Sequence, residues 1–113
     1  MIYKYNKLVR DNIINKINSK DGSVATYRVL DDKEYIEELN KKLIEEANEF
    51  IEENSIEELG DVMEVIESIM KVKNISWDEV REVQDTKRDK NGGFRDRLYL
   101  ESVEEDIVKG RDR

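Results

Sequence analysis

Two apolar-striped segments meet at Asn54-Ser55 with no linker between them, and that junction constrains the fold more than any other feature. The first segment carries Ile36, Leu39, Leu43, Ala47 and Phe50. The second carries Ile56, Leu59, Val62, Met63, Ile66, Ile69 and Met70. Spacings of three and four residues place each set on one face of a helix. Asp31 with Glu34, and Ser55 with Glu58, read as capping boxes that open the two helices. Asn54 suits the left-handed conformation that closes the first helix near Glu53. The second helix is expected to end at Lys73 or Asn74. So short a connection folds the two back on each other as an antiparallel hairpin.

The rest of the chain has little punctuation, with no proline and five glycines. Leu8, Val9, Ile13, Ile14 and Ile17 suggest a short helix from about Asp11 to Asn18. Ser19 to Ser23 reads as a turn. Val24 to Leu30 is rich in β-branched and aromatic residues and is a strand candidate, as is Phe94 to Leu100. Ser76 with Glu79 forms a third capping box, opening a helix from Trp77 to about Asp89 that Asn91-Gly92-Gly93 stops. The expected fold is mainly α, a helical hairpin or bundle with a small two-stranded β element. Its 113 residues form one expected domain, with a tail that frays from about residue 102.

Absences narrow the chemistry. The chain has no histidine and no cysteine, which excludes a Ser-His-Asp triad, thiol nucleophiles, zinc clusters and disulfides. Any metal must be held by oxygen, the chemistry of Mg2+ or Mn2+. Carboxylates are the remaining candidates for acid-base work. The net charge of -8 argues against sequence-independent nucleic-acid binding, and no stable nucleic-acid complex is expected. No apolar run is long enough to span a bilayer and no signal-peptide pattern opens the chain, so the expected location is the cytoplasm, away from membranes.

Glu46 and Glu49 lie three apart near the end of the first long helix. Glu58 and Asp61 lie three apart near the start of the second. Each spacing puts a pair on one helical flank, and folding back around Asn54 brings both pairs to the same end of the hairpin. The helical wheel sets Glu46 and Asp61 at the edge of the apolar arcs, Glu58 inside one, and Glu45 away from the core. Either pair alone reads as a solvated acidic face, with Glu58 serving its capping box and Lys42 pairing with Glu46. Both pairs together, crowded beside a core, read as a divalent-cation site, because clustered carboxylates repel and are costly to bury unpaired.

Around these residues stand "KLVRD" at Lys7 to Asp11, "KLIEEANEF" at Lys42 to Phe50, "EELGDVMEVIESI" at Glu57 to Ile69 and "KRDKNGGF" at Lys87 to Phe94. The run Glu45-Glu46-x-x-Glu49, then Glu58-x-x-Asp61, resembles the EExxE…ExxD signature of the all-α, MazG-like nucleoside triphosphate pyrophosphohydrolases. These are related to dimeric dUTPases and to phosphoribosyl-ATP pyrophosphohydrolases. The resemblance covers Tyr5 to about Leu100 and is nearest to a small subgroup with these flanks. It implies Glu46, Glu49, Glu58 and Asp61 as Mg2+ ligands, and attack at the α-phosphorus that gives a monophosphate and pyrophosphate. Only eight residues separate Glu49 from Glu58, fewer than in many members, which bears on the base accepted.

Other roles follow as expectations. Glu46 is the candidate to orient or deprotonate the attacking water. Lys7, Arg10, Lys87, Arg88 and Lys90 are candidates for phosphate contact, or else for a solvated basic face. Gly92 and Gly93 serve a phosphate approach or a helix stop. Trp77 serves base stacking or ordinary packing. A homodimer or higher oligomer is expected, because Val65 and Val72 widen the apolar arc of the second long helix beyond the Leu59-Ile66 stripe. Two alternatives stand beside nucleoside triphosphate hydrolysis. One is phosphoribosyl-ATP hydrolysis in histidine biosynthesis. The other is a non-catalytic helical interaction protein with a structural cation.

Overall fold

The computed structural model describes residues 1–105. It divides into two compact units, Met1–Trp77 and a second that begins at Asp78. Four helices occur among the described residues: α1 (Ile13–Asn18), α2 (Asp32–Glu53), α3 (Ile56–Val72) and α4 (Trp77–Asn91). The mainly α expectation therefore holds. The expected tail from about residue 102 lies largely outside the described residues.

Local chemistry sets the ends of the long helices. The Asp31 carboxylate accepts from the Glu34 amide at 2.9 Å and opens α2. The Ser55 hydroxyl accepts from the Glu58 amide at 3.3 Å and opens α3. Such caps satisfy amides that the first helical turn leaves without partners. Between them Asn54 takes a left-handed conformation, φ 52°, and its N–H donates to Phe50 O. Asn74, φ 58°, turns the chain after α3 in the same way.

α2 packs on α3 to form the hairpin in the first unit. Its buried apolar side chains are Leu39, Val65 and Met70. On α2 the inward line runs Leu39, Leu43, Glu46, Phe50. On α3 it runs Glu58, Val62, Val65, Ile69, Val72. This corrects the expected face of α3. Val65, expected to widen the arc outward, is buried, while Ile56, Leu59 and Met63 of the expected central stripe are exposed. The helix is apolar over so wide an arc that contact with α2, and not periodicity, selects the inner line.

The two expected strands are absent: the described residues contain no β-strand. Val24, Tyr27 and Val29 stand exposed, as do Leu98 and Leu100. The Ala25 amide donates to the Asn18 side chain at 2.9 Å instead of entering a ladder. β-propensity records the fit of a residue to a paired, half-buried surface, and neither segment has one.

Candidate metal centre

The sequence places carboxylates at core positions beside the hairpin turn, and packing keeps them there. Glu46 holds the inward position between Leu43 and Phe50 and is only 7% exposed. The wheel put it at the edge of the apolar stripe, yet it lies as deep as the core. Glu58 heads the inward line of α3, and Asp61 follows one turn later. One carboxylate oxygen from each of Glu46, Glu58 and Asp61 lies within 4.8 Å of the other two. Glu49 is outside this group, three residues along α2 from Glu46.

The immediate partners of the three differ. Glu46 Oε1 is 3.4 Å from Lys42 Nζ. Asp61 Oδ1 accepts from Arg10 Nη2 at 2.6 Å. Glu46 Oε2 and Glu58 Oε2 are buried with no hydrogen-bond partner. The Glu58 amide makes its capping bond, so the box is only half formed and its carboxylate is turned to the cluster. Buried oxygens without donors are rare in folded proteins and call for a ligand or a strain. Three clustered carboxylates, two of which carry an orphaned oxygen, make an all-oxygen donor set that fits a hard divalent cation such as Mg2+ or Mn2+.

Burial raises the Glu46 pKa above the ordinary carboxylate value, and the neighbouring Glu49 raises it further. Lys42 opposes both without cancelling them. Glu46 therefore holds a proton more readily than an ordinary carboxylate.

The remaining candidates divide. Arg10 belongs to the cluster through Asp61. Lys7 lies 3.9 Å from Glu45 Oε1, and Lys42 lies 3.6 Å from the same oxygen. Glu45 is thus outside the group of three, as the wheel requires, but joins the surrounding charges. Lys87, Arg88 and Lys90 are exposed on α4 in the second unit, where Arg88 pairs with Asp85 of its own helix at 3.2 Å. Gly92 is left-handed, φ 81°, and its N–H donates to Arg88 O, so it ends α4. Trp77 lines a hollow of about 230 Å³ with Met70, Lys71 and Ile75. Met70 lies nine residues beyond Asp61, roughly 14 Å along the helix, so the hollow is remote from the carboxylates.

No protein-family model, curated protein or solved structure matches the chain. Among the described residues no helix is long and apolar enough to cross a membrane.

Proposed function

We propose that the chain is a Mg2+-dependent nucleotide pyrophosphohydrolase, cleaving a nucleoside triphosphate or a related nucleotide to monophosphate and pyrophosphate. The observation that carries this reading is the convergence of three carboxylates from two helices, two of them with buried oxygens that have no donor. Glu46, Glu58 and Asp61 would hold the cation, with Glu49 beside them. When bound, a divalent cation supplies charge neutralisation for the polyphosphate and lowers the pKa of water. The resemblance of the EExxE…ExxD run supports the same reaction.

The chain's own residues divide the work. Glu46 is the carboxylate that would orient the attacking water or take its proton. The water oxygen bonds to the α-phosphorus as the bond from that phosphorus to the bridging oxygen breaks. Pyrophosphate leaves with the electron pair. Arg10 and Lys42 pair with members of the cluster and would offset the charge of the incoming phosphates. Phosphoribosyl-ATP presents the same bond, so a substrate screen must include it beside canonical and modified triphosphates.

Hydrolysis in 18O-enriched water tests the reading, with Mg2+ and with EDTA. The expected products are monophosphate carrying the label and unlabelled pyrophosphate, and none with EDTA. Diphosphate with orthophosphate overturns the reading, and label on pyrophosphate moves the attack to the β-phosphorus. An interaction protein with a structural cation would be stabilised by Mg2+ alone, with no added effect of a nonhydrolysable triphosphate analogue.

We propose in addition that a second copy covers the exposed Ile56, Leu59 and Met63 line of α3. Three buried apolar side chains make a small core for the first unit, and pairing two identical hairpins enlarges it.

A further inference from the structure

Arg10 and the metal reading make competing claims on one carboxylate. Arg10 Nη2 donates to Asp61 Oδ1 at 2.6 Å, across 51 residues of sequence. Asp61 also gives an oxygen to the group of three. We propose that Arg10 is an exchangeable counter-cation for Asp61. Its guanidinium holds the carboxylate while no divalent cation is present. It leaves when one binds, which frees a positive charge beside the site for an anionic ligand. This rests on the cation reading above.

Four observations favour exchange over a permanent bridge. First, the contact is single-pronged, made by Nη2 to Oδ1 alone. Arg28 shows the contrasting case in the same chain, gripping Glu34 through two parallel hydrogen bonds of 3.2 and 2.8 Å. Two-pronged guanidinium contacts are the strong and oriented kind. Second, the Arg10 and Asp61 side chains are 57% and 38% exposed, so water replaces the contact at little cost. Third, Glu46 and Glu58 each keep a buried oxygen with no donor, whereas the Asp61 carboxylate already carries a guanidinium on Oδ1. A cation entering the group of three would also stand close to the guanidinium, and like charges at that range repel. Fourth, Arg10 precedes α1 in a segment without helix or strand. Half-buried Leu8 and Val9 hold that segment independently, so the guanidinium can swing on its own stem.

A permanent bridge makes the opposite prediction. If Arg10 stayed on Oδ1 to orient Asp61, its loss would weaken cation binding, as the loss of a partner behind a ligand does. Calorimetric titration of the full chain with Mn2+ and with Mg2+ separates the two. The variants are R10Q, R10K and K7Q. Exchange requires R10Q to bind the cation about tenfold more tightly than the wild type, about 1.4 kcal/mol. R10K should fall between, because lysine keeps a cation but lacks the fork. K7Q should change affinity by no more than about twofold, since Lys7 faces Glu45, and it measures the general effect of removing a positive charge.

A second readout follows Arg10 itself. Its Nε–H resonance in 15N spectra should move toward the free-guanidinium position as Mg2+ is added. At saturating Mg2+, inorganic triphosphate should bind R10Q more weakly than the wild type. Unchanged or weakened cation affinity in R10Q, with a wild type that binds the cation, overturns the exchange alone. Absence of divalent-cation binding in both the wild type and R10Q overturns the cation reading and the exchange with it.

Discussion

The two halves of the α2–α3 hairpin are built on one register, but only the half nearer Asn54 sets carboxylates among its apolar side chains. Away from Asn54 the buried side chains are Leu39, Val65 and Met70, all apolar. At the Asn54 end the same lines continue as Glu46 and Glu58, with Asp61 alongside. Burial that stabilises a leucine destabilises a carboxylate, because an ion leaving water loses hydration that two unpartnered oxygens cannot recover. The open end therefore holds the hairpin together, and the turn end uses that stability to keep three like charges close. Substitutions at the two ends should have opposite signs.

The largest effect is expected at the apolar end. Leu39→Ala removes the most buried of three core side chains and should destabilise the first unit by about 2–5 kcal/mol. Urea unfolding followed by circular dichroism measures it, and a change within experimental scatter would mean that the core lies elsewhere. The outer face comes next. Leu59→Glu puts a charge on the exposed line of α3 and should raise the dissociation constant of the oligomer about a hundredfold, about 2.7 kcal/mol. Analytical ultracentrifugation reads this directly, and a wild type that is monomeric at micromolar concentration refutes the pairing.

Substitution at the carboxylate end should reverse the sign of the first result. Glu46→Gln removes a buried charge and should stabilise the cation-free protein by about 1 kcal/mol. The variant should then gain less from added Mg2+ than the wild type gains, and should lose turnover. Glu45→Gln, whose partners are Lys7 and Lys42, should do neither. Differential scanning calorimetry with EDTA and with Mg2+ covers both conditions. If Glu45→Gln matched Glu46→Gln, the orientation of α2 given above would be wrong.

These contrasts also show what the sequence could and could not disclose. The caps at Asp31 and Ser55 and the left-handed Asn54 are local, so a few adjacent residues reveal them and with them the hairpin. The approach of Glu46, Glu58 and Asp61 was legible for the same reason, since helix spacing and a two-residue connection bring them to one end, whereas Glu49 lies outside their group. The strands of Val24–Leu30 and Phe94–Leu100 were misread because pairing is non-local and no composition reveals a missing partner. The inner face of α3 stayed ambiguous because two apolar lines run along it, and only the packing of α2 chooses Val65 over Leu59. A helical wheel centred on apolar residues sets Glu46 at the edge of the stripe, and its depth follows from packing against α3. Arg10 could be listed as a cation, but its pairing with Asp61 spans 51 residues and leaves no local signature.

The smallest expected effect is a difference in pH dependence between the wild type and Glu46→Gln. Burial and Glu49 raise the folded-state pKa of Glu46 above its unfolded value, and Lys42 only partly offsets them. Glu58 and Asp61 face it from α3, the latter held by Arg10. Between the ordinary carboxylate pKa and the raised one, folded Glu46 binds more protons than unfolded Glu46. Stability from this group must then rise as pH falls through that window and be lost as pH rises through the folded pKa. The advantage of Glu46→Gln in EDTA should therefore be greatest near neutral pH and shrink as the pH falls toward the ordinary carboxylate pKa. An advantage that grew on acidification would mean that Lys42 dominates and that Glu46 is a stabilised anion, unsuited to take a proton from water.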